Sequence, residues 1–367
     1  MILQIEPWID EEELIQLKRV IQSTYVVEHN LTKEFEEQTK QLTNSKYAIS
    51  ITNGTMALYC CLKALGIGPG DEVLVPNITF IATANAVIMA GATPVLCEVD
   101  AKTFCIDIDS CITKLSKNTK AIMPVHLYGQ AADMDKVCAF AKKHNLYIIE
   151  DAAQGVGVKF KNKHVGTFGD FGILSYYGNK TITCGEGGIV LTDNEELAKK
   201  VYRLKNHGRD KKGVFVHEHI GYNFSFTEMQ AAIGIAQMNK LPKILAKKKS
   251  IYEKYMDKLS NIEGLNPVFI DSRCDPVFWF TSFSSNFVSQ LSEYLLKNEI
   301  LTRRYFYPLH LQPCYKNNNY IRNLNDDFSL SEKIFETGIS LPSSYHLTDK
   351  DQDFVIQKII SFYENRF

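Results

Sequence analysis

Residues 121–151 read AIMPVHLYGQAADMDKVCAFAKKHNLYIIED, and their pattern decides the fold class. The stretch opens on a short apolar run, 121–125, and ends on another, 146–150, followed by Asp151. Between them Met134, Val137, Cys138 and Ala141 recur at three- and four-residue spacing, opposite Lys136 and Lys143. That is the signature of a helix with one buried face. Uniformly apolar strands alternating with such helices predict a parallel sheet covered on both faces. Working outward, EVLVP (72–76) and PVLCEV (94–99) repeat the strand pattern around a helical stretch at 79–91. FGILSY (171–176) and GIVLT (188–192) supply two more strands, parted by GEGG at 185–188. The expected fold is α/β, with a mostly parallel sheet in a large domain.

The flanks differ. Residues 1–45 read as a polar, helical arm packed on the rest. Beyond residue 241 the alternation stops. A helix is expected at 245–259 and two more near 288–298 and 350–364, with short strands and Pro-containing turns between them. A boundary near 240–250 gives a large domain, 1–245, and a smaller C-terminal α/β domain, 246–367. With 41 basic and 42 acidic residues among 367, the chain offers no general field for a nucleic acid partner. Apolar residues at 45% and charged residues at 23% exclude a disordered chain. No run approaches the roughly 20 apolar residues of a membrane span. The start, MILQIEPWIDEEEL, lacks the basic-then-apolar form of a secretory leader. Nine scattered cysteines without a CxxC pair read as packed thiols in a reducing compartment, so a cytoplasmic location is expected. His217 and His219 have no second ligand pair in the sequence, and no metal site is expected.

Four local features carry chemistry. Asn53-Gly54-Thr55 follows the apolar residues Ala48, Ile49 and Ile51 and precedes a helix. Such a turn can set backbone N–H groups around a phosphate, or can be an ordinary N-cap. Asp151 ends a buried strand, where a side chain points into the crevice that binds ligands in parallel sheets; a helix-capping role is equally open. Glu150 should face the other way. Ser175 and Lys180, in SYYGNK, sit in a loop otherwise short of charge. A buried lysine there has a lowered pKa and can attack a carbonyl, whereas an exposed one is a turn residue. Finally Asn223 precedes a helix with Ala231, Ala232, Gly234 and Ala236, small residues suited to close packing. A phosphate cradle, a strand-end acid and a lysine in this order fit pyridoxal 5'-phosphate: phosphate to the cradle, ring nitrogen to the acid, aldehyde to the lysine.

NGTMAL (53–58), IIEDAAQGVG (148–157), GDFGILSYYGNKTITCGEGG (169–188), GYNFSFTEMQAAIG (221–234) and FYPLHLQPCY (306–315) make the likeness specific. The chain resembles the DegT/StrS-type sugar aminotransferases, fold-type I pyridoxal-phosphate enzymes. The resemblance implies that Lys180 bonds to the cofactor aldehyde and later shuttles a proton. It implies that Asp151 holds the pyridinium proton and that Phe80 stacks on the ring. Gly54, Thr55 and Ser175 would bind the phosphate, and Gln154 would contact the ring oxygen. Asn223 would reach the phosphate held by a second subunit, which implies a homodimer with a shared site.

One departure stands out. Many relatives carry Asn-Tyr-Arg-Met where this chain has Asn223-Phe224-Ser225-Phe226, and a serine cannot replace a bidentate cation. Arg203, Arg209, Arg303 and Arg304 are candidate substitutes, and His310 is a candidate for the substrate pocket or for a structural turn. The implied reaction moves an amino group from an amino acid, L-glutamate, to the keto group of a nucleotide-linked keto-deoxy sugar, giving an amino sugar for surface polysaccharide. Alternatives are a small phosphorylated ketone as acceptor, a sugar dehydratase on the same scaffold, or a regulator that binds the cofactor without turnover. Lys180 speaks against the dehydratase, whose relatives carry histidine there.

Overall fold

The protein was analysed as a computed structural model that describes residues 1–211, 213, 215–316, 320–364 and 366. Its strands are β1 Tyr47–Ile51, β2 Glu72–Pro76, β3 Thr93–Cys97, β4 Thr119–Ile122, β5 Tyr147–Asp151, β6 Lys159–Phe160, β7 Lys163–His164, β8 Phe171–Ser175 and β9 Gly188–Thr192. Five more follow: β10 Asn266–Pro267, β11 Cys274–Asp275, β12 Thr281–Ser284, β13 Arg303–Arg304 and β14 Gly338–Leu341. The helices are α1 Glu11–Ser23, α2 Asn30–Thr43, α3 Gly54–Ala64, α4 Ala82–Met89, α5 Ile108–Lys114, α6 Met134–His144 and α7 Glu195–Lys205. They continue as α8 Glu228–Leu259, α9 Val288–Lys297, α10 Pro313–Lys316, α11 Ser329–Thr337 and α12 Asp349–Glu364.

A seven-stranded sheet runs in the order β1-β9-β8-β5-β4-β2-β3. Only β9 opposes its neighbours β1 and β8. Both faces are covered, as the unbroken apolar strands required. Leu74, Val95, Ile122, Ile148, Leu174 and Ile189 enter one core. Their alternating neighbours Val73, Val75, Leu96, Ala121, Ile149, Ile173 and Val190 enter the other. The helix in the opening stretch forms as read, with Asp133 accepting from the Lys136 N–H at its start and Met134, Val137 and Ala141 buried.

The C-terminal part builds a second, antiparallel sheet, β10-β12-β14-β13, under α9 and α12. Its core draws on residues from Ile251 to Tyr363. The two helices expected on either side of residue 242 are a single one. The 32 residues of α8 pass through Pro242 and through the expected boundary. Proline removes one helical N–H and normally bends or stops a helix. Here the flanks are anchored: Lys240 Nζ donates to Asp10 Oδ1 (2.6 Å) and Glu13 Oε2 (2.7 Å), and Leu241, Ile244 and Ile251 are buried. Packing therefore overrides the local preference. The N-terminal arm lies against α8, and Glu228 accepts the N–H groups of His29, Leu31 and Thr32 at the start of α2.

Candidate active site

A cavity of about 480 Å³ opens where β5 and β8 end and α3 begins. Asp151 arrives there as the last residue of β5 and is nearly buried, 5% exposed. Two donors fix its carboxylate. The Thr83 hydroxyl donates to Oδ2 at 2.7 Å and the Ala153 N–H to Oδ1 at 3.1 Å. Thr79, in the bend that precedes α4, meets the Thr83 hydroxyl with its own at 2.8 Å. Glu150 points to the opposite face, as strand alternation demands. It accepts from the N–H groups of Gly166, Phe168 and Gly169, and its Oε2 lies 3.0 Å from His126 Nε2.

Lys180 lines the same cavity, with Nζ 4.8 Å from the centre of the Trp279 ring. Burial lowers its amine from the ordinary 10.5 to about 8; the Asp151 charge opposes the shift and the Arg303 charge adds to it. The indole N–H of Trp279 donates to the Asn179 carbonyl at 2.7 Å, and the Trp279 carbonyl accepts from Lys248 Nζ at 3.1 Å. Lys248 also donates to the Ser343 carbonyl at 3.1 Å, and burial brings its amine down to about 7.

The start of α3 faces Ser175 closely. A Cβ built on Gly54 would come within 3.1 Å of the Ser175 Cβ. Asn53 caps the helix through the Met56 N–H, and among the described residues the N–H groups of Gly54 and Thr55 meet no protein acceptor. A glycine-tight helix start, a serine hydroxyl and two unused N–H groups suit a phosphate in this cavity. Together with Asp151 and Lys180, this donor set fits pyridoxal phosphate. Gln154 lines the cavity too; its carbonyl end accepts the Tyr128 N–H at 2.8 Å, which leaves the amide NH₂ for a ligand. Phe80 stands at the cavity wall, 55% exposed, its ring 6.0 Å from that of Phe306.

Other expected site residues lie elsewhere. His310 does not line the cavity: its Nδ1 faces the Asn77 amide, its Nε2 lies 3.0 Å from Glu332 Oε1, and its ring meets Phe328. These protein groups occupy both ring nitrogens. Arg304 is also displaced, its guanidinium donating to the carbonyls of Phe335 and Glu336. Arg209 binds Asn206 and Arg203 pairs with Asp210, both away from the cavity. On the two-residue strand β13 the alternation selects Arg303, which does line it. Asn223 is exposed and outside the cavity of its own chain. Trp279, Thr83 and Tyr177 are residues at or beside the site that the sequence did not single out.

A mostly parallel sheet with a strand-end carboxylate, a pKa-lowered lysine and a helix-start phosphate cradle in one cavity defines a fold-type I pyridoxal-phosphate enzyme. The chain belongs to the DegT/DnrJ/EryC1/StrS aminotransferase family, which it matches over residues 7–360. It is a pyridoxal-phosphate-dependent aminotransferase. A GDP-perosamine synthase of Caulobacter vibrioides is 39% identical over 331 residues, 88% of this chain and 87% of its own. DesV of S. venezuelae has the same fold, with a TM-score of 0.91 at 29% identity over 99% of both chains. The PLP form of a putative sugar aminotransferase, Spr1654 from Streptococcus pneumoniae, gives 0.93 at 25% identity over 100% of this chain and 99% of that one. Among the described residues no helix is long and apolar enough to cross a membrane.

Proposed function

We propose that this aminotransferase takes an amino group from L-glutamate and delivers it to the keto group of a nucleotide-linked keto-deoxy sugar, in cytoplasmic amino-sugar synthesis for surface polysaccharide. The observation that carries the chemistry is the meeting of Lys180, Asp151 and the α3 start in one cavity. The sugar acceptor is supported by the perosamine synthase relative. When bound, pyridoxal phosphate supplies an aldehyde and a protonated ring that takes up the electron pair of the substrate carbon.

The chain's residues divide the remaining work. Gly54, Thr55 and Ser175 would hold the phosphate, and Phe80 would cover the ring. Asp151, oriented by Thr83 and Ala153, would accept the ring N–H and so keep the ring protonated. Lys180 Nζ would take the proton from the substrate carbon and pass it on to the cofactor carbon. An amine lowered to about 8 leaves roughly a tenth unprotonated at pH 7, enough to serve as a base. Trp279 shields that amine from water.

Asn223 lies outside its own cavity, and the neighbouring apolar side chains Phe215, Val216 and Ile220 are 74–84% exposed. Both facts support a homodimer in which Asn223 serves the second subunit's phosphate site. The division into a cofactor domain, 1–245, and a smaller domain, 246–367, is supported by the separate core of the C-terminal sheet. A small phosphorylated ketone is the second reading of the acceptor, since Ser225 leaves the 221–227 turn without the cation many relatives have there.

The test incubates holoenzyme with L-glutamate and a panel of nucleotide-linked keto sugars and follows 2-oxoglutarate. Turnover with one of them is expected. Turnover with phosphorylated ketones only, or with no sugar, overturns the sugar assignment.

A further inference from the structure

Lys180 stands between two cavities. The large one is the candidate active site, which cofactor and substrate would fill. The other is a rear chamber of about 10 Å³, room for a single water. Trp8, from the N-terminal arm, and Tyr345 help to wall this chamber, and both are half-buried, so each also meets solvent. Their rings stack with centres 3.9 Å apart and planes within 3°. The arm is pinned in this position. Gln237 Nε2 donates to the Trp8 carbonyl at 2.6 Å, and Lys240 Nζ lies 4.6 Å from the centre of the Trp8 ring. The Ser343 N–H donates to the Gln4 carbonyl at 2.9 Å. One stacked ring pair thus separates bulk water from the back of the reactive amine.

The charges around the two cavities say why that barrier matters. Asp151, Glu186, Arg303 and the Tyr177 hydroxyl line the front; Glu6, Lys248 and the Tyr345 hydroxyl line the rear. Lys248 is buried and donates to the carbonyls of Trp279 and Ser343. A neutral amine has two N–H groups, so these two acceptors satisfy it without a positive charge. Glu6 is the rear carboxylate among the described residues, and its charge would favour a protonated Lys180. Only the exclusion of water can work against that proton from behind. Cofactor and substrate would close the front, whereas the rear is closed by the protein alone. We propose that the Trp8–Tyr345 stack seals the chamber behind Lys180 against solvent and so keeps that amine free enough of its proton to act as a base at neutral pH. Trp8 is then a positioning residue, through which the N-terminal arm takes part in the reaction. This rests on Lys180 being the reactive lysine of the reading above.

The experiment compares wild type with Trp8→Ala, Trp8→Phe and Tyr345→Ala. Tyr345→Ala opens the same stack from the other side and keeps the test decisive should Trp8→Ala loosen the arm. Each protein is loaded with pyridoxamine 5'-phosphate, which fills the front and has no aldehyde to bond Lys180. Trace acetic anhydride then acetylates free amines across a pH series, and mass spectrometry reads the Lys180 peptide. Half-maximal labelling is expected near pH 8 in wild type and in Trp8→Phe, which keeps a stacked ring. In both alanine variants it should rise by roughly one pH unit, about a tenfold loss of free amine at pH 7. The donor half-reaction with L-glutamate, followed from the cofactor absorbance, should show the same signature. Its rate relative to wild type should climb from about a tenth at pH 7 to near one above pH 9. An unchanged labelling midpoint in both alanine variants, or a rate loss that is the same at every pH, overturns the proposal. Labelling needs no turnover, so failure to find a sugar substrate leaves this readout intact.

Discussion

Replacing Lys180 by methionine should make the cofactor-free protein more stable, not less. The fold holds the Lys180 amine at about 8, against 10.5 for an ordinary lysine. A lowered lysine means that the folded state disfavours the protonated form. The cost is present in full below about pH 8 and fades as the pH climbs toward 10.5. At full burial a shift of that size corresponds to about 3 kcal/mol. The side chain keeps part of its surface open to the cavity, and solvent screening reduces the figure to about 1–2 kcal/mol. Methionine matches the stem in length and carries no charge. Urea unfolding of apoenzyme at fixed protein concentration, at pH 7 and again near pH 10.5, reads the difference directly. The expected gain is about 1–2 kcal/mol at the lower pH and close to none at the higher. Equal or reduced stability at pH 7 refutes the argument. A gain of the same size at both pH values refutes it too, since packing would then be the cause.

Three further outcomes follow from the same geometry. Thr83→Val removes the hydroxyl that donates to Asp151 Oδ2, and turnover at saturating cofactor should fall roughly 10- to 100-fold with little change in acceptor KM. Gly54→Ala puts a methyl against Ser175, so equilibrium titration should show cofactor affinity down roughly 10-fold while helix α3 itself is retained. Lys180→Ala and Asn223→Ala proteins, each crippled alone, should regain part of the activity when unfolded together and refolded, because one of the two sites in a mixed dimer then has both residues; no regain counts against a shared site.

The large sheet was readable because its strands are buried on both faces, so their apolar runs are unbroken and each ends sharply. Asp151 and Lys180 were readable for a related reason: a charge at the end of such a run, or in a loop short of charge, stands out. The arginines were harder. Arg303 and Arg304 are adjacent, and only the register of a two-residue strand, paired with Ser340 and Ile339 of β14, decides which one faces the cavity. The two readings of His310 were inseparable in the sequence because a buried histidine partnered by Asn77 and Glu332 has the same local sequence as one that waits for a ligand. Trp279 reaches Lys180 across 99 residues of chain, a contact that no local pattern encodes. Helix α8 was divided at Pro242 because its anchors, Asp10 and Glu13, lie more than two hundred residues away.

The continuity of α8 has a mechanical meaning. Thirty-two helical residues make a strut of about 48 Å, and no slack linker joins the two sheets along it. The strut begins beside the turn that carries Asn223. Further along, Lys248 grips the carbonyl of Trp279, whose ring lies over Lys180. Its one missing rung is at Pro242, between these two points. Bending at that rung would move the ring over the lysine relative to the turn at the strut's origin, so the geometry around the reactive amine depends on how stiffly one proline is clamped.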